Sequence, residues 1–379
     1  MQSHAIATIF AHMDQVMNTT ISLDRAPATA APATARIADD KVMLRAAAEL
    51  TRDLVQPRPR VYWADLIASV AIGYGALAVA ILSSSTAVSV AAAIVAMLGL
   101  YRGLSFIHEV SHMKHALLPG FRKGWDALVG VPMLTPSFMY EGVHNLHHAK
   151  TRYGTAEDPE YLPLALMKPW TLPLFVVVSA LAPVALIVRY AVLSPLSLLS
   201  SRLRRVVVER YSALAINPRF RRRLPEGDFA RQWNRIETAT SLWAIALVTL
   251  AATGVLPLRA FLIVLAVASG VAVVNQVRTL VAHLWENEGE PMSVTAQYLD
   301  TVNVPPPALL PALWAPVGLR YHALHHLLPG LPYHSLGEAH RRISAALDAA
   351  SPYHKASYAG LPGLVLKIGR STMTSRTAV

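Results

Sequence analysis

Four stretches of this chain, residues 63–82, 86–106, 236–252 and 256–274, are almost wholly apolar, and each comes near the ~20 residues a helix needs to cross a bilayer. They pair into two hairpins. The first pair turns at Ser83-Ser84-Ser85-Thr86 and the second at Thr253-Gly254-Val255, and neither turn carries Lys or Arg. Residues 201–235, by contrast, hold ten arginines, at 202, 204, 205, 210, 219, 221, 222, 223, 231 and 235, and the segments at both chain ends are also basic. Positively charged loops stay on the cytoplasmic side. The two turns are therefore expected outside and the basic segments inside.

A fifth apolar stretch, 170–199, breaks this rhythm at Pro173, Pro183, Arg189 and Pro195. A single crossing there would put the segments before and after it on opposite sides of the membrane. An interfacial or re-entrant helix pair keeps the topology consistent; two further spans are the alternative.

Composition agrees with a membrane protein: 54% of the 379 residues are hydrophobic and only 15% charged, against about 25% charged in ordinary soluble domains. The net charge of +11 sits as arginines flanking the spans, without aromatic interleaving or a nucleic-acid motif. Anionic lipid headgroups or an acidic electron-transfer partner fit it better than nucleic acid. No cysteine is present, which removes thiolate and iron–sulfur ligation and disulfides. The N-terminus shows no basic-then-apolar signal, and RAPATAAPATARIADD at 25–40 reads as a linker or disordered arm.

The expected architecture is an all-α integral membrane protein with four transmembrane helices in two hairpins and a cytoplasmic helical cap. Residues 1–60 form a partly disordered cytoplasmic arm, 61–345 the membrane domain, and 346–379 a C-terminal tail. The location is the bacterial cytoplasmic (inner) membrane.

The chemistry is carried by three histidine clusters, HEVSH at 108–112, HNLHH at 144–148 and HALHH at 322–326, with His283 standing alone between the last two. On a helix, positions i, i+3 and i+4 share a face. His108 with His112, His144 with His147 and His148, and His322 with His325 and His326 each make a local fan of imidazoles. A lone histidine is more often a surface or satisfied core residue; three repeated spacings are not explained that way. Eight or nine neutral imidazoles are too many for one tetrahedral zinc, so the count suits two metals.

HEVSH also matches H-E-x-x-H, in which two histidines hold zinc and the glutamate is the base of a protease. An intramembrane metalloprotease would leave HNLHH, HALHH and His283 without a role. A metal transporter would place polar or histidine residues within the spans, which are nearly free of them.

The order of the clusters, with YEGVHNLHHAKTRYGTAEDPEY and GLRYHALHHLLPGLPYH around them, resembles the membrane fatty acid desaturase family over about residues 60–345. That resemblance implies a di-iron centre held by His108, His112, His144, His147, His148, His283, His322, His325 and His326. It also implies dioxygen as co-substrate and insertion of a double bond into an acyl chain carried as acyl-lipid, acyl-CoA or acyl carrier protein. Lipid hydroxylation, or decarboxylation to a terminal alkene, is the alternative outcome of the same cage. In part of the family an asparagine one turn before the extra histidine holds a metal-bound water; here that position is Thr279, with Asn275 one turn further back. Asp158, in TAEDP, is a candidate to orient a ligand ring, as are Glu109 and Glu141 beside the clusters. His115 extends the first cluster, while His334 and His340 read as capping or pairing residues. No haem-attachment or nucleotide-binding fingerprint is present, so the electrons are expected from a separate ferredoxin, haem protein or reductase.

Overall fold

A computed structural model describes residues 37–113 and 116–374. His115 lies outside the described residues. The protein is helical throughout, and among the described residues there is no strand, only isolated bridges.

Five helical runs, rather than the four expected, are long and apolar enough to cross a membrane: Pro59–Leu82 (α2), Thr86–His112 (α3), Thr171–Ser197, Gly227–Ala252 (α6) and Leu258–Leu280 (α7). The protein is an integral membrane protein. The spans also outrun their apolar stretches at the basic ends, because α3 continues through the first histidine cluster and α6 begins in the arginine-rich segment.

The hairpin of α2 and α3 closes tightly because glycine faces glycine. A Cβ on Gly99 would lie 2.9 Å from the Gly73 Cα, and one on Gly73 would lie 2.8 Å from Leu100; no larger residue fits that crossing. Ser85 caps α3 by accepting from the Val88 N–H. The α6–α7 turn depends on Gly254, held at φ +75°, where an L side chain is strained.

The 171–197 run is not one regular helix. It passes from α (Thr171–Val177) to 3₁₀ (Val178–Leu181), α (Ala182–Ile187), π (Val188–Leu193) and α again (Ser194–Ser197). Pro183 and Pro195 each open a new segment, as expected where a residue lacks the N–H that the preceding turn needs. Its first half packs on α7, where Ser269 donates to the Ala180 carbonyl at 2.8 Å. Its second half packs on α6, where Arg189 donates to Glu237 at 2.7 Å, to the Tyr211 carbonyl at 2.9 Å and to Ser212 at 2.7 Å.

Short elements gather beside the C-terminal ends of α3 and α7: Lys41–Leu50 (α1), His144–His147 (α4), Ser201–Tyr211 (α5), Val294–Asp300 (α8), His322–Leu327 (α9), Leu336–Ala346 (α10) and Leu361–Thr374 (α11). Met43 and Ala47 of α1 are fully buried in one core with Leu336, Ala339 and Ile343 of α10. Leu364 and Ile368 of α11 are buried with Trp285, Tyr153 and Tyr161. Chain on both sides of residues 61–345 thus belongs to the same packed layer.

Candidate metal centre

Each histidine is delivered by a defined backbone feature. His108 and His112 sit one turn apart at the end of α3, and α4 is a single turn that starts at His144. His283 follows α7 in an extended link, pinned where Leu284 N donates to the Asp300 carbonyl at 2.7 Å and Val302 N to the Ala282 carbonyl at 3.0 Å. The third cluster is hung on the segment that pairs with this link: Ala323 N donates to the Val302 carbonyl at 3.1 Å and Leu324 N to the Asn303 side chain at 3.0 Å.

The nine imidazoles divide into two groups that cut across the sequence clusters. His108, His112, His144, His148 and His325 form one; His147, His283, His322 and His326 form the other, and within each group the ligand atoms lie within 4.8 Å of one another. His147 therefore leaves its chain neighbours His144 and His148 for the second group.

Carboxylates and phenols fix the rings from behind. His147 Nδ1 lies 3.0 and 2.9 Å from the two oxygens of Asp158, which is fully buried and also accepts from the Gly154 and Glu160 backbone N–H groups at 2.8 Å each. His144 Nδ1 lies 2.8 Å from Glu160 Oε1, and Tyr140 donates to Glu160 Oε2 at 2.7 Å. His283 Nδ1 lies 2.9 Å from the Tyr153 hydroxyl, which donates to Asp300 at 2.8 Å. In these three rings Nδ1 faces an oxygen, which leaves the Nε2 lone pair free to bind a metal.

Those nitrogens are close: His144 to His148 3.0 Å, His112 to His325 3.0 Å, His148 to His325 3.1 Å, His283 to His322 3.1 Å and His322 to His326 3.2 Å. Several converging lone pairs cannot all be satisfied by mutual hydrogen bonds. Two nitrogens ~2.1 Å from one shared cation at right angles stand about 3.0 Å apart, so this spacing is what a metal requires. His108 makes the same point, since both of its ring nitrogens are buried without a hydrogen-bond partner. The residues fit two metal ions.

Electrostatics favour the ligating form. Burial first, then neighbouring imidazoles, push His144, His148, His325 and His326 well below the usual range, and Arg278 adds to the effect on His283 and His322. Neutral imidazole is the species that binds a metal. For His147 burial acts the same way and is the largest single effect, but the Asp158, Glu160 and Asp300 carboxylates together outweigh it and the group is raised. Burial pushes Glu160 and Asp300 up to about 7.

Other sequence candidates take different places. Glu109 accepts from the Tyr62 hydroxyl and, at 3.1 Å, from the Tyr333 N–H, inside an aromatic core with Phe106 and Phe121. It is thus committed to structure rather than poised as a protease base. Glu141 pairs with Arg122 at 2.9 Å. Thr279 donates to the Asn275 carbonyl of its own helix at 2.9 Å, and the Asn275 side chain faces Arg278. His334 accepts from the Arg58 N–H at 3.0 Å, and His340 pairs with the Tyr353 hydroxyl at 3.0 Å. No sequence pattern points to Tyr140, Tyr153 or Asp300; Glu160 was within reach, two residues after Asp158 in the same acidic segment.

A helical membrane protein with two histidine groups gathered at one end of its spans has the make-up of a membrane-bound metalloprotein. The chain is a member of the fatty acid desaturase family, whose model matches residues 83–358. It is 51% identical over 327 residues, 86% of this chain and 93% of the relative, to a protein from Caulobacter vibrioides (strain NA1000 / CB15N) named ceramide hydroxylase.

Proposed function

We propose that this protein is a di-iron hydroxylase of a ceramide-type lipid. The observation that carries the reading is the identity of 51%, spread over nearly the whole length of both chains, with a relative named for ceramide hydroxylation. The family alone left desaturation as the first expectation; the relative's name moves it to hydroxylation. Decarboxylation also recedes, because the acyl group of a ceramide is an amide with no free carboxylate to lose.

The reaction consumes one dioxygen, two electrons and two protons, placing one oxygen atom in a C–H bond and releasing the other as water. Iron bound by the five- and four-histidine groups would supply the activation of dioxygen. The protein's own part is to hold nine neutral imidazoles in place, through Asp158 on His147, Glu160 on His144, and Tyr153 with Asp300 on His283. The electrons come from a separate carrier. Exposed Arg219, Arg221 and Arg223 suit an acidic one, in a segment where Asn217 donates to the Asp158 carbonyl at 2.8 Å.

The gathering of all nine histidines supports four crossings. His148 and His283 flank the 171–197 run, α6 and α7, and an odd number of crossings between them would put them on opposite faces. The bent 171–197 run is therefore the re-entrant element, with α6 and α7 crossing, the metal groups facing the cytoplasm, and the inner membrane as the site of action.

The test is mass spectrometry of ceramide incubated in nanodiscs with the iron-loaded protein, a reduced ferredoxin and 18O2, beside His147→Ala. A product carrying one 18O and absent from the variant supports hydroxylation. A product two mass units lighter returns the protein to desaturation.

A further inference from the structure

Arg278 is in the last turn of α7 and differs from the other cations at the membrane boundary. Arginines at such positions ordinarily snorkel to the headgroups or pair with acids. Arg278 is half-buried, and its Nε is buried without a hydrogen-bond partner. The groups within hydrogen-bond reach of it are neutral, the Asn275 side-chain oxygen at 3.5 Å, the limit of a hydrogen bond, and the Tyr101 phenol, with the Glu160 carboxyl further off but within its electrostatic influence. No carboxylate pairs with it among the described residues.

The same side chain lines a cavity with His322, Trp314, Leu319, Arg320 and Val302. The cavity measures about 10 Å³, room for about one oxygen-sized group. Two other donors on or beside its wall are committed. Arg320 donates to the Val304 and Ala308 carbonyls at 2.7 and 2.8 Å, and the Tyr101 hydroxyl donates to the Trp314 carbonyl at 2.8 Å. Arg278 Nε and His322 Nδ1 are thus the unmet ring or guanidinium nitrogens at a mostly apolar pocket, and of the two only Arg278 is a permanent donor.

A buried, unpaired donor is costly, and so is an amide or hydroxyl oxygen that a lipid must carry into an apolar site. Each relieves the other. A plain acyl chain would offer Arg278 nothing to accept its proton.

We propose that Arg278 is a substrate-positioning residue whose guanidinium donates to an oxygen of the lipid's polar backbone, so that the hydroxylated carbon lies within a few bonds of that oxygen. This rests on the lipid hydroxylase reading above and names the part of the lipid that is recognised. It makes the reaction one near the headgroup rather than far along the chain.

The experiment measures KM, kcat and hydroxyl position, by tandem mass spectrometry, for the iron-loaded protein in nanodiscs, with Arg278→Met and Arg278→Lys beside it. Loss of a charge-assisted hydrogen bond should raise KM for ceramide about tenfold or more. The Arg278→Met product should spread to neighbouring carbons with iron content unchanged, and Arg278→Lys should recover part of both losses. A substrate-side arm needs no variant: wild-type protein with an analogue whose amide is replaced by methylene should show the same rise in KM and the same spread. Unchanged KM and position in either arm, as expected if the Arg278 N–H is met by water alone, overturns the proposal. No oxygenated product from wild-type protein would instead refute the hydroxylase reading itself.

Discussion

His147 and Asp158 form a fully buried pair in which one ring nitrogen stands 2.9 and 3.0 Å from the two carboxylate oxygens. This pair turns His147 away from its chain neighbours and into the group with His283, His322 and His326. Replacing the carboxylate behind a ligating histidine typically costs about 10–100-fold in metal affinity. Asp158→Asn should show that loss by metal titration of the stripped protein, with binding weakened in one of two sites. Equal affinity in wild type and variant would mean that Asp158 does not orient a ligand.

The titrating groups around the centre give a signed pH dependence for the metal-free protein. The six histidines held well below 6.5 bind fewer protons folded than unfolded. Their stabilisation is present above about 6.5 and is lost as pH falls. Glu160 and Asp300, raised to about 7, act oppositely: what they contribute is present at low pH and lost as pH rises through 7. His147, raised above 6.5, sides with them, but six outnumber three. The Tm of metal-free protein in detergent should rise between pH 5 and about 6.5. A falling Tm over that interval would contradict the burial of neutral imidazoles.

Glu109 separates the metal-dependent oxidase from the H-E-x-x-H protease. Because its carboxyl serves Tyr62 and the Tyr333 N–H, Glu109→Gln should cost about 1–3 kcal/mol of stability while metal content and lipid oxidation persist. A protease base would instead be indispensable to turnover. Retained folding and metal with abolished activity would reopen that role.

Docking of the electron carrier should depend on charge. Arg219→Glu, Arg221→Glu and Arg223→Glu combined are expected to raise KM for an acidic carrier several-fold and flatten its dependence on ionic strength. Turnover driven by a small uncharged reductant should be unaltered. If the carrier's KM stays the same while activity comes to depend on anionic lipid, the arginines serve the bilayer instead.

The C-terminal helix is testable through Trp285. Leu364 is fully buried in the core that holds Trp285, so Leu364→Ala should cost about 2–5 kcal/mol, seen as a lower Tm by tryptophan fluorescence. An unchanged Tm would show that α11 does not support that core.

The histidines were legible in the sequence because their spacing is short-range: helical offsets within 108–112, 144–148 and 322–326 survive as real turns. Their allotment was not legible. No periodicity says that His147 parts from His148, because that depends on Asp158 and on where α9 docks. The supports Tyr153 and Asp300 are 147 positions apart and carry no pattern at all. The 170–199 stretch was legible as apolar and proline-broken, and in the structure it is five short helical segments, two of them opened by Pro183 and Pro195. By length and composition it stands as a fifth candidate span beside the other four.

The interleaving of the histidine groups also sets an order of events in the life of the molecule. The first group draws four donors from residues before 150 and its last from His325; the second draws only His147 from the early chain and needs His283, His322 and His326 to exist at all. A nascent chain that has not yet been synthesised past residue 326 can complete neither. Both groups are therefore closed only when the segment around 322–326 has been made and docked, the first by a single histidine and the second by two, after His283.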